Sequence, residues 1–87
     1  MEINDLRKKI DEIDHDILIL LSKRRDVVEA IGERKKVSSL PIKDETRFGE
    51  MIEKRKEIAV ELFIPESVVL SIWDVLHNWA LEVERSK

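Results

Sequence analysis

Residues 3–31 read INDLRKKIDEIDHDILILLSKRRDVVEAI, and their pattern decides the fold. The apolar residues fall at Ile3, Leu6, Ile10, Ile13, Ile17 and Leu20, then at Val27 and Ile31, in steps of three and four. A helix turning once every 3.6 residues puts such steps on one stripe with a heptad rhythm, whereas a half-buried strand would alternate at every second residue. The spacing therefore predicts one long helix, whose first plausible stop is Ser38-Ser39-Leu40-Pro41. Gly32 falls inside it and reads as a close helix contact rather than an end.

Working outward, two more helices follow. Asp44 is a natural N-cap with Glu45 in the first turn behind it, and opens a helix whose apolar face is Phe48, Met51, Ile52, Ile58 or Ala59, and Leu62. Pro65 suits the first position of a third helix, with Glu66 and Ser67 after it and a stripe of Val69, Ile72, Trp73, Leu76, Ala80 and Val83. Two glycines and two prolines in 87 residues leave little else to interrupt the chain. The expected fold is all-α, with three helices in a single domain covering residues 1–87.

Length adds a constraint. A helix of about 35 residues is about 52 Å long. A compact globule of this chain length has a radius of gyration near 12 Å, hence a diameter near 30 Å. The first helix must overhang its own domain and carry its apolar seam with it. A second copy of the chain is the simplest cover, which predicts an intertwined homodimer.

Composition excludes several classes of function. There is no cysteine, so no disulfide framework or thiolate metal site. Charged residues make up 40% of the chain, yet the formal net charge is only -3, because acids and bases interleave. Without a basic stripe, without tyrosine and with few other aromatics, nucleic acid is not an expected partner. The start, Met1 to Lys9, is polar and unlike a signal peptide, and no apolar run nears the roughly 20 residues that span a bilayer. A cytoplasmic location with no membrane partner is expected.

Some residues break the apolar pattern. Arg24 occupies a seam position between Leu20 and Val27, where a guanidinium needs an anionic partner. Lys35 lies 11 residues on, on the same face and about 16 Å away. Together they either clamp a small dianion or pair with acids on the other helices. Arg7 also borders the seam, about 25 Å from Arg24, so the two reach one small ligand only from different chains of an antiparallel pair. Asp44 and Arg47 begin the second helix, where free amides favour anions, or serve as a plain cap and an exposed arginine. Glu84 stands on the apolar stripe of the third helix, unless it frays into solvent. His15 and His77 have no ligand at metal-binding spacing, so no metal is expected. Trp73 and Trp79 read as core or interface packing.

The run Leu6-Arg7-Lys8-Lys9-Ile10-Asp11-Glu12-Ile13-Asp14, then Ile17-Leu18-Ile19-Leu20-Leu21 and Arg24-Arg25, resembles the all-helical chorismate mutase family. The resemblance continues through Lys35, Pro41-Ile42-Lys43-Asp44 and Arg47 into the third helix. It implies an intertwined dimer with two sites that isomerises chorismate to prephenate without a cofactor. Arg24 and the partner subunit's Arg7 would hold the substrate carboxylates, and Lys35 would donate to the ether oxygen. Asp44 and Arg47 would shape the ring-hydroxyl side. Glu84 falls where many members have glutamine, as a second donor to the ether oxygen. Phe48 replaces a glutamate found in many members, and Ala80 replaces a serine. Phe48, and Trp79 beside Ala80, also resemble the isochorismate-pyruvate lyase branch of the same fold. A non-catalytic helical dimerisation module is the further alternative, one that does not require Arg24 and Lys35 on an interior face.

The rearrangement suits these residues. It is unimolecular, so an enzyme can act by holding the reactive conformer and stabilising charge on the ether oxygen, with no nucleophile or metal.

Overall fold

The computed structural model describes all 87 residues and contains helices only: α1 (Ile3–Ser38), α2 (Glu45–Glu61) and α3 (Glu66–Arg85). The first helix ends where the serine pair predicts. Ser39 turns into the left-handed region at φ 55°, and the Leu40 N–H closes the helix on the Lys35 carbonyl at 2.9 Å. Asp44 is the N-cap of α2, its carboxylate accepting from the Arg47 N–H at 3.0 Å. Pro65 departs by one residue from its expected place. It is the N-cap of α3, extended at ψ 143°, and Glu66 is the first helical residue.

The turn between α2 and α3 is a Schellman closure. Phe63 takes the left-handed position at φ 58°, and the Ile64 N–H reaches the Ala59 carbonyl at 2.9 Å. A left-handed phenylalanine is unusual, and its ring is almost wholly exposed.

Both α1 and α2 pack on α3 and not on each other. The core is small: Val28 from α1, Met51, Ile52 and Ala59 from α2, Val69, Leu76 and Leu81 from α3. Trp73, Ala80 and Val83 of the expected α3 stripe are half-buried, whereas Ile72 is exposed, as are Ile58 and Leu62 of α2. The molecule measures 55 × 24 × 15 Å and its radius of gyration is 16.1 Å, well above the roughly 12 Å of a compact globule. The excess is α1, whose residues 3–20 are all exposed. No helix is long and apolar enough to cross a membrane.

The face of α1 that meets α3 differs from the expected seam. Val27 and Ile31 remain exposed at 60% and 44%, while their neighbours Val28 and Gly32 are buried. One residue is about 100° of helix rotation, so α3 covers a stripe adjacent to the heptad seam. Gly32 explains the choice. A Cβ there would lie 2.9 Å from the Glu84 Cα and 3.3 Å from its carbonyl oxygen, so only glycine permits this approach of two backbones.

Candidate functional site

Where α1 and α2 stand apart above α3, they leave a cleft of about 280 Å³. Its walls bring together seven of the eight residues singled out from the sequence: Arg24 and Lys35 from α1, Asp44, Arg47 and Phe48 from α2, Ala80 and Glu84 from α3. Helical geometry accounts for the grouping. Arg24, Val28, Ile31 and Lys35 recur every three or four residues on α1, as His77, Ala80 and Glu84 do on α3, with Leu81 beside Ala80. Arg7 is not among them; it is exposed on the overhanging half of α1, as its distance from Arg24 requires.

The two cations of α1 differ in their partners. Lys35 is spent within the chain. Its Nζ lies 2.7 Å from Glu84 Oε1 and donates to the Ile42 carbonyl oxygen, also at 2.7 Å. Both groups of the ion pair are largely buried, with 20% and 8% of side-chain surface exposed. The approach to the carboxylate is poorly aligned, so Glu84 Oε1 is a buried oxygen without a proper hydrogen bond. Breaking such a pair by removing one partner strands a buried charge. Of the two readings open for the pattern-breaking cations, Lys35 follows the internal salt bridge.

Arg24 does not follow it. It has no acid within salt-bridge distance and no hydrogen bond, and burial lowers its pKa from the ordinary guanidinium value. Such a group nonetheless stays charged. The Arg47 side chain likewise has no partner in the chain. Arg55, further along α2, has its pKa lowered by burial first, then by the positive charges of Arg47 and Arg24. Three guanidiniums thus share one region, two of them lining the cleft, and the field there favours an anion.

The α2 wall is apolar at a point where the sequence offers no hint of a partner. The Phe48 ring stacks on the His77 imidazole, centroids 4.0 Å apart and planes inclined by 29°. His77 had a place in the sequence reading only as a histidine without metal-ligand spacing. The available signal was its position three and seven residues before Ala80 and Glu84, on the same face of α3. No three histidine, aspartate or glutamate side chains converge as a metal would require. The cleft can therefore hold a small anion between guanidiniums, beside an aromatic wall, with a lysine–carboxyl pair at one end.

A second depression, about 370 Å³, lies between α2 and α3 and is nearly all apolar: Ile58, Ala59, Leu62, Ile64, Val69 and Trp73. Arg55 covers the Trp73 ring at 5.7 Å, and the buried Trp73 Nε1 has no acceptor within the chain.

Comparison with known proteins shows the family. Residues 6–85 match the family described as chorismate mutase type II. A chorismate mutase of Methanocaldococcus jannaschii is 31% identical over 83 residues, spanning 93% of this chain and 84% of that protein. A bifunctional chorismate mutase/prephenate dehydratase of Aquifex aeolicus is 33% identical over 87 residues, 97% of this chain but 24% of that protein. The T-protein of Enterobacter agglomerans is 35% identical over 68 residues, 78% of this chain and 18% of that protein. With the match running through both α1 and the cleft-lining turns of α2 and α3, this chain belongs to the family of type II chorismate mutases.

Proposed function

We propose that this chain rearranges chorismate to prephenate in the cleft, and that a second copy of the chain completes each site. The observation that carries the reading is the contrast in pairing: Arg24 and Arg47 face the cleft without acids of their own, while Lys35 and Glu84 hold each other at one end. Guanidiniums pair with carboxylates in short, charge-assisted bonds. Arg24 together with Arg7 of the partner subunit then binds the carboxylates, and Asp44 and Arg47 border the ring.

Within the bound molecule one C–O bond breaks as one C–C bond forms, and negative charge grows on the ether oxygen. Lys35 Nζ turns from Glu84 toward that oxygen and stabilises it. Glu84 donates to the same oxygen only in its protonated form, since an ionised carboxylate accepts but does not donate. A preorganised donor of this kind is worth about 10²–10³ in rate. No covalent step is required of the protein.

The dimer rests on separate observations. The N-terminal half of α1 exposes its whole apolar stripe, and the α2–α3 depression is an apolar receptacle containing an unmatched Trp73 N–H. An interior cationic cleft is what distinguishes this reading from a dimerisation module without chemistry. The test is incubation with chorismate and, separately, isochorismate, following prephenate and salicylate. Prephenate from chorismate supports the mutase reading; salicylate from isochorismate alone assigns the chain to lyase chemistry.

A further inference from the structure

We propose that Ile42 is a positioning residue for the reaction: its carbonyl oxygen anchors the Lys35 ammonium while that group swings from Glu84 to the ether oxygen. The inference rests on the mutase reading above. Lys35 Nζ has two neighbours at the same distance of 2.7 Å, and they are not equivalent. It donates a well-formed hydrogen bond to the Ile42 carbonyl oxygen, whereas its approach to Glu84 leaves the buried Oε1 without one. The carboxylate is held by charge, the carbonyl by charge and direction together. A lysine that gives up one contact during turnover gives up the misaligned one. An ammonium has three N–H donors, so one can stay on Ile42 while another meets the ether oxygen. The carbonyl is also uncharged. It fixes the ammonium without cancelling the positive field that the ether oxygen requires, as a second carboxylate in its place would.

The backbone holds this oxygen in place from both sides. The chain leaves α1 through the left-handed Ser39, and the Leu40 N–H returns to the Lys35 carbonyl at 2.9 Å. Two residues later the chain meets Lys35 again, now at its side chain. Pro41, between the two contacts, has its φ fixed by its ring. Asp44, two residues beyond Ile42, is tied down as the N-cap of α2. The acceptor is therefore aimed by a pinned turn rather than by a rotatable side chain. Lys35 and Ile42 are both half-buried, so water is a poor substitute for either partner.

The test is the full chain made by chemical synthesis with an ester in place of the peptide bond between Ile42 and Lys43. An ester carbonyl is a weaker acceptor, and the Lys43 N–H lost in the exchange has no backbone partner. With chorismate, kcat should fall about fivefold at unchanged KM, because the weakened bond is felt when Lys35 stabilises the developing charge. The same exchange one bond earlier, at the Pro41 carbonyl, interrupts no backbone hydrogen bond and should leave kcat unchanged. Equal losses from both esters overturn the proposal and assign the effect to a loosened turn. An unchanged kcat in the first ester chain overturns it as well. If that chain fails to fold, judged by circular dichroism, Pro41→Gly frees the backbone beside the carbonyl. It should lower kcat at unchanged KM, and an unaltered kcat there counts against the anchor. A wild-type chain inert toward chorismate defeats the mutase reading itself, a result distinct from an active chain indifferent to the ester.

Discussion

The two halves of α1 carry the same heptad rhythm and meet opposite fates. From Arg24 onward the helix lies on α3, buries Val28 and Gly32 and supplies one wall of the cleft. From Ile3 to Leu20 it touches nothing, and Ile10 and Ile13 stand 56% and 58% exposed. A stripe of that length costs free energy in water, roughly 25 cal/mol for each Å² of apolar surface left uncovered. Amphipathic pattern therefore announces that a face will be buried, without saying by which chain. The packed half shows what α3 covers; the free half marks the surface left for a partner.

The sharpest way to break this comparison is a charge in the free half. Ile13→Glu leaves every contact within one chain intact, so a monomeric enzyme would tolerate it. With a partner on that stripe, sedimentation should shift from about twice the 10.3 kDa chain mass to the single chain, and mutase activity should disappear. Unchanged mass and activity would show that the overhang is merely solvated.

Next in size is complementation between the halves. Arg7→Ala and Arg24→Ala should each be nearly inactive, because one residue from each half serves every site. Refolded as a mixture, they form heterodimers with one intact site, and about a quarter of wild-type activity should return by random pairing of subunits. Verified heterodimers without activity would exclude a shared site.

Within the packed half, Gly32→Ala tests the backbone contact. Alanine gains about 1 kcal/mol of helix propensity. Against this stands an overpacking cost of about 1–3 kcal/mol, since the added Cβ meets the Glu84 backbone rather than a flexible side chain. The net expectation is a loss of about 1 kcal/mol in urea unfolding, with lower turnover as Glu84 is displaced. A gain in stability would show that α1 and α3 separate freely.

The smallest effect is at the cleft edge. Asp44→Ala removes the α2 cap and should cost about 1 kcal/mol, while Asp44→Asn retains most of it. Equal stability losses in the two variants would mean that charge, not the Arg47 N–H bond, holds this end of α2.

Helix limits were legible because their causes are local. The left-handed Ser39 with Pro41 two residues on, and the Asp44 side chain on its own helix, act within a few residues of the chain. The candidate site was legible as violations: Arg24 and Glu84 stand on apolar stripes, and a charge in such a place needs a partner or a ligand. Phe48 was visible as a residue of the apolar face of α2, standing where many members of the resembled family carry an acid. Its stack on His77 joins two helices across 29 positions and leaves no trace in either local pattern. Leu81, buried beside the cleft, lies one residue off the stripe counted for α3.

The sequence by itself determined three helices, the stop of the first, the starts of the second and third within a residue, a first helix too long for its own domain, and the cations that break its seam. These follow from hydrogen bonds, caps and dihedral limits acting over one turn. Tertiary structure alone decided that Val28 and Gly32, rather than Val27 and Ile31, face α3, because the closest approach is set by a missing Cβ against the Glu84 backbone. It also decided that Lys35 is paired and Arg24 is not. Which acid reaches which cation depends on how helices distant in sequence are laid together, and no periodicity within one helix contains that information.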